Sequence, residues 1–304
     1  MFALESTFKE KVVAAIRERM QQRDMSAQQL ARTFKTSGSQ LSRLLKGQLD
    51  HVISDSKWIE IARELGVGIH EREWKIARTA VFTQIEEDVM FCQQNAKAMI
   101  FVDECGIGKT FTAKYLAKAL RNCFFIDASQ AKTRNQFNRL LAKAVGMDES
   151  GRYSDIKDNI KFYLRNIPSP VIIVDEAGDL DYAAFLELKE YWNATEGACG
   201  WYLMGADGLR AKIQKGIQNQ KVGYREIFSR FSSNYSHAVP QGKPEKVAFY
   251  QDLFRTVLEA NTADKHNINK IVNKCMAGAI DQNIGGLRRL ESLLILHQQN
   301  DEQA

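Results

Sequence analysis

Apolar positions change their spacing along this chain. Through the first 65 residues they recur every three or four positions, the period of helices with one buried face. Val12, Val13, Ile16 and Met20 form one stripe over 9–22, and Leu30, Ala31 and Phe34 a second over 27–34. Leu41, Leu44 and Leu45 form a third over Gly38–Leu45, and Trp58, Ile59, Ile61, Ala62 and Leu65 a fourth over Asp55–Leu65. Ser26 and Ser37 stand where N-caps belong, and Gly47 stands just past the end of the third stretch. Gly66-Val67-Gly68 breaks the pattern, and residues 69–78 read as a linker. From residue 98 onward the pattern is different. Short strand-like stretches at 98–102, 122–128 (apolar at Cys123-Phe124-Phe125-Ile126), 171–174 and 200–205 alternate with amphipathic helical stretches. Continuous apolar strands alternating with helices predict an α/β domain with a buried parallel sheet.

Helix, tight turn, helix, with the small Ala31 where the two helices cross, is the helix-turn-helix pattern. The stretch from Gln29-Leu30-Ala31 to Gln40-Leu41-Ser42-Arg43-Leu44-Leu45-Lys46-Gly47 resembles the phage-repressor class of such domains. The resemblance implies that the third helix lies in the major groove of DNA. Its outward residues are then Ser39, Gln40 and Arg43, suited to phosphate or base, to adenine, and to guanine or phosphate respectively. The turn position usually given to glycine is Lys35, which must accept a positive φ or a different turn.

Composition sets the class. In 304 residues, 44% are hydrophobic, 26% are charged and only four are proline, which excludes a disordered or low-complexity chain. No apolar run approaches the roughly 18 residues of a membrane helix. Glu5 and Glu10 near the start speak against a secretory signal. Five scattered cysteines without a CxxC pair fit a reducing compartment, and the expected location is the cytoplasm. The net charge of +5 is unevenly spread. Residues 1–49 carry nine basic and four acidic side chains, and residues 128–170 carry eight and four, whereas residues 171–207 carry one and eight. Clustered basic charge is the footprint of a polyanionic partner.

The run 98–102 leads into Asp103-Glu104-Cys105-Gly106-Ile107-Gly108-Lys109-Thr110 and then an amphipathic helix. Strand, glycine-rich loop, Gly-Lys-Thr, helix is the context of a P-loop. Backbone N–H groups of Gly106, Ile107 and Gly108, continuing through Lys109, Thr110 and Phe111 into the helix N-terminus, are expected to cradle phosphate. Lys109 balances the β and γ charges and Thr110 offers a hydroxyl to Mg²⁺. The first glycine of the pattern is Asp103, a negative charge expected at the rim of the site, where it lowers nucleotide affinity. A second element follows at Val171–Val174, an apolar strand that ends in Asp175 and Glu176. The first acid is placed to hold Mg²⁺ and the second to polarise the attacking water as a general base. The pair of motifs predicts ATP binding and hydrolysis. The strand 200–205 ends at Asp207 where many ATPases place a polar γ-phosphate sensor, a poor role for an anion.

P-loop, acidic strand end, arginines in Tyr224–Phe231 and Gly-x-x-Arg before the last helix together resemble the AAA+ ATPases. That resemblance implies Arg230 or Arg225 as the finger reaching a neighbouring subunit's γ-phosphate, and Arg288 as the lid residue acting in cis. The expected order is a helix-turn-helix domain (1–66), a linker (67–80), a P-loop AAA+ core (81–240) and a helical C-terminal lid (241–304). In order and size this is similar to the family of phage Mu transposition protein B and related transposon target selectors. The resemblance implies a homo-oligomer, built with ATP and Mg²⁺, that forms helical filaments on double-stranded DNA, selects targets and activates a transposase. Lys132, Arg134, Arg152 and Lys161 are then candidates for tracking the phosphate backbone, without reading sequence. Two other readings remain open: a helicase-loader-type AAA+ adaptor, and an ATP-regulated transcription regulator with a preferred operator.

Overall fold

The computed structural model describes residues 4–23, 25–68, 74–262, 265–277 and 285–302; residues 69–73 of the expected linker lie outside the described residues. The chain divides into two compact units. One is Met1–Glu73 with Lys118–Asn122, the other Trp74–Ala117 with Cys123–Ala304.

The first unit holds α1 (Ser6–Arg23), α2 (Ala27–Thr33), α3 (Gly38–Leu45) and α4 (Asp55–Leu65). Their apolar stripes converge on one core that includes Val12, Ile16, Leu30, Leu41, Leu44, Trp58 and Leu65. Ser26 and Ser37 open α2 and α3 with capping boxes completed by Gln29 and Gln40. Each box satisfies two N–H groups that the helix start leaves unpaired. Lys35 takes a left-handed φ of 51° in the turn between α2 and α3. The repressor-type turn is therefore kept, with lysine in a conformation that glycine adopts without a Cβ clash.

The second unit runs α5 (Ala80–Asn95), β1 (Ala98–Val102), α6 (Lys109–Ala119), β2 (Cys123–Asp127), α7 (Arg134–Val145), α8 (Tyr153–Asn166) and β3 (Val171–Asp175). It continues through α9 (Tyr182–Ala194), β4 (Gly200–Gly205), α10 (Asp207–Gln218), α11 (Tyr224–Arg230) and β5 (Tyr235–Ser236). α12 (Lys243–Asn261), α13 (Ile268–Ala277) and α14 (Leu287–Glu302) close the chain, each packed on the next. The sheet is parallel throughout, in the order β2-β3-β4-β1-β5. Every residue of β3 and β4 is buried, as strands covered by helices on both faces require. β4 lies between β1 and β3, so the loop after β1 and the acids after β3 meet at the carboxyl edge of the sheet. That edge is where open α/β sheets bind their ligands. Among the described residues no helix is long and apolar enough to cross a membrane.

Candidate nucleotide-binding site

The loop between β1 and α6 is held open by its glycines. Gly106 and Gly108 have φ of 77° and 102°, a region costly for side-chain-bearing residues. The loop leads directly into the N-terminus of α6 at Lys109, a place where backbone N–H groups and the helix dipole favour an anion. Lys109 is 7% exposed and its ammonium donates to the carbonyls of Asp103 (2.8 Å) and Glu104 (2.6 Å). Thr110 Oγ1 donates to Asp175 Oδ2 at 2.6 Å, which joins the two sequence motifs directly. Asp175 Oδ1 accepts from the Glu176 N–H at 3.0 Å.

Burial pushes the Asp175 carboxyl above its usual range, while the Thr110 hydroxyl and the Glu176 N–H pull it back. Burial also raises Glu176, and the charge of Asp175 adds to the rise. A carboxylate shifted upward is a stronger proton acceptor. Glu176 sits at φ 50°, ψ 39°, a left-handed backbone that carries its side chain out of the strand line. A hydroxyl and a carboxylate in contact beneath the loop are hard oxygen donors of the kind Mg²⁺ takes beside substrate phosphates. Thr110 and Asp175 therefore fit that ion.

A cavity of about 340 Å³ opens over this loop. Its walls gather the expected residues Gly106, Ile107, Gly108, Lys109, Thr110 and Phe111 with Glu176 and Arg288. Other walls were not legible in the sequence. Trp74, Ala77 and Thr79 line the cavity from the stretch read as linker, and Val257, Asn261 and Glu291 line it from α12 and α14. This strap is pinned to the C-terminal helices. Trp74 Nε1 donates to Glu291 Oε1 (3.0 Å), and Asn261 exchanges two hydrogen bonds with the backbone of Lys75 (2.7 and 3.1 Å). Trp74, a large aromatic inside the stretch that reads as a linker, is the signal in the sequence for this contact.

Asp103 corrects an expectation. Its carboxylate does not face the cavity rim. It is 7% exposed and accepts from the backbone N–H groups of Ala238 (2.6 Å), Val239 (3.0 Å) and Glu104 (2.8 Å). Asp207 is exposed at the start of α10 and is not among the cavity walls. Arg225 and Arg230 lie on α11, away from their own cavity. Arg225 is exposed, while Arg230 donates to Asn193 Oδ1 (2.7 Å) and stacks on Trp192.

The expected DNA-contacting residues separate into two groups. Ser39 and Arg43 are exposed on α3, with Arg43 Nε donating to Gln48 (2.8 Å). Gln40 is engaged instead by the fold: its Oε1 accepts from the Ser37 N–H and its Nε2 donates to the Val52 carbonyl at 3.2 Å. Reading adenine would cost both bonds. Lys132, Arg134 and Arg152 are exposed at the starts of α7 and α8, where Arg134 stacks on Tyr153 beside Arg152. Lys161 pairs with Glu190 (2.6 Å) and Asp158 (3.5 Å), and Lys157 pairs with Glu187 (2.9 Å). The basic stretch thus spends part of its charge on the acidic one that follows.

Cys105 is the only exposed cysteine of the five, and it lines the cavity. Alkylation is expected to label it first, and saturating ATP to slow the labelling at least about tenfold by occupancy. Mass spectrometry of the 103–109 peptide reads the rate. Equal rates with and without nucleotide would place phosphate elsewhere.

Residues 90–213 match the AAA domain family, and residues 16–71 match the helix-turn-helix family. The chain carries an N-terminal helix-turn-helix domain followed by an AAA-type P-loop domain with a five-stranded parallel sheet. The combination points to an ATPase that binds DNA. The AAA match ends within α10, ahead of α12–α14. No curated protein gives a significant match to the chain.

Proposed function

We propose that this protein is an ATP-dependent, sequence-tolerant binder of duplex DNA that assembles into helical filaments, selects target DNA and activates a transposase, with hydrolysis driving release. The observation that carries the reading is the direct contact of Thr110 with Asp175 beneath a cavity shared by the P-loop, Glu176 and the lid residue Arg288. Lys109 and the loop amides hold the β- and γ-phosphates. Thr110 and Asp175 hold Mg²⁺, which neutralises phosphate charge when bound. The Glu176 carboxylate orients a water and accepts its proton as the water oxygen bonds to the γ-phosphorus and the bond to the β-phosphate oxygen breaks. Arg225 or Arg230 completes the site of a neighbouring copy, so that assembly depends on nucleotide.

Sequence tolerance is supported by α3. With Gln40 spent on its capping box, Arg43 is the one long side chain among the three expected contacts. Lys132, Arg134 and Arg152 add phosphate contacts that carry no sequence information. Negative-stain imaging with ATP and random duplex DNA tests the proposal. Filaments of uniform pitch are the expected result. Tight binding to one sequence without filaments would favour a transcription regulator. Nucleotide-dependent binding to a helicase or to single strands would favour a loader.

A further inference from the structure

The two acids that open the glycine-rich loop, Asp103 and Glu104, are not among the cavity walls; one side chain turns to the connection that leads into the lid and the other to the lid itself. Residues 237–242 connect β5 to α12, and Asp103 Oδ2 accepts from two N–H groups of that connection, Ala238 and Val239. Glu104 grips α12 itself. Its Oε1 pairs with the Lys246 ammonium and its Oε2 accepts from the Tyr250 hydroxyl at 2.6 Å. Lys246 and Tyr250 stand one helical turn apart on the same face. The loop meets the lid once more at Gly106, whose carbonyl accepts from the Leu287 N–H at 2.7 Å. There Gly286 packs so closely that a Cβ on it would lie 2.7 Å from the Gly106 oxygen.

Lys109 adds the decisive connection. Its ammonium donates to the backbone carbonyls of these same two acids. A compact ammonium has only three protons to give, so serving both the β- and γ-phosphates while keeping the Asp103 and Glu104 carbonyls would need four, and at least one carbonyl bond must yield. Any shift of Lys109 toward phosphate therefore acts on the backbone that carries both lid anchors.

We propose that Asp103 and Glu104 form a latch that couples the engagement of Lys109 with phosphate to the position of the lid, and so sets how fast nucleotide leaves. The proposal rests on the nucleotide-binding reading. Both residues act through the lid and are positioning residues. The departure from the glycine pattern at 103 is, on this account, the device itself.

The test is stopped-flow release of a fluorescent ADP from the full chain with Mg²⁺, paired with hydrogen exchange of α12. Glu104→Gln and Lys246→Met are each expected to speed release about tenfold, the scale of a lost charged hydrogen bond. The double variant is expected to be no faster than the faster single one, because both remove one interaction. Asp103→Gly restores the glycine of the pattern. It is expected to speed release too, whereas a merely tolerated defect would give slower release once repaired. Nucleotide is expected to protect α12 amides in the wild type and not in Glu104→Gln; a purely structural loss would lower protection equally with and without nucleotide. Lys246→Met lies outside the loop, and keeps the test valid if a loop variant misfolds. Wild-type binding with unchanged release in Glu104→Gln and Lys246→Met, or with effects that multiply in the double variant, overturns the latch alone. No ADP binding by the wild-type chain overturns the nucleotide reading and the latch with it.

Discussion

Lys109→Ala is expected to abolish ATP-stimulated DNA binding. The side chain is almost wholly buried beneath the loop and is one of the cationic side chains lining the cavity. Each charge-assisted hydrogen bond it makes is worth about 1.5–3 kcal/mol. Losing two lowers nucleotide affinity by about a hundredfold or more. Calorimetry reads that loss, and fluorescence anisotropy with random duplex, with and without ATP, reads its consequence. The alanine also strips the Asp103 and Glu104 carbonyls of their donor, so Lys109→Gln belongs beside it. Glutamine keeps an N–H for those carbonyls while removing the charge. Both variants should behave alike in binding even if only the alanine melts earlier. ATP-stimulated DNA affinity that survives in both would remove nucleotide coupling from the proposal.

Glu176→Gln is expected to do the opposite and trap the assembly. The amide keeps the shape and the left-handed turn of residue 176 but cannot accept a proton. Removing a general base costs about 10²–10⁴-fold in rate. The phosphate-gripping residues are untouched, so ATP and DNA still bind. Phosphate release should fall by that factor, while the lifetime of ATP-bound protein on DNA, followed by surface plasmon resonance, lengthens correspondingly. Rapid turnover by the variant would assign the base to another residue.

Much of the molecule follows from neighbouring residues and was readable in order. Gly38–Leu45, Asp55–Leu65, Ala98–Val102 and Gly200–Gly205 form as elements with the expected limits, because capping serines, glycines and apolar runs act over a few positions. The strand-loop-helix around Gly106–Thr110 was readable for the same reason, since its lysine, hydroxyl and glycines are contiguous and lie between β1 and α6. The acids at 175 and 176 were readable because they end a strand too apolar to lie anywhere but the middle of a sheet.

Other roles depend on which distant group a side chain meets, and composition and spacing carry no record of that. Asp103 and Gln40 show it most plainly. An aspartate in a phosphate loop reads as misplaced charge until Ala238 and Val239, far along the chain, offer it two N–H groups. A glutamine on a recognition helix reads as a base contact until Ser37 and Val52 claim both ends of its amide. Lys161 counts as free positive charge in the sequence and is paired with Glu190 in space. Trp74 reads as linker until Glu291 holds it at the cavity wall. Adjacent residues alone set the turn of the glycine-rich loop and the buried strand that ends in the acid pair, because glycine freedom at positive φ and unbroken apolar runs act over a few positions. Tertiary structure alone decided which polar side chains stay available to a ligand, because a buried donor or acceptor must be satisfied by whatever the fold brings within about 3 Å.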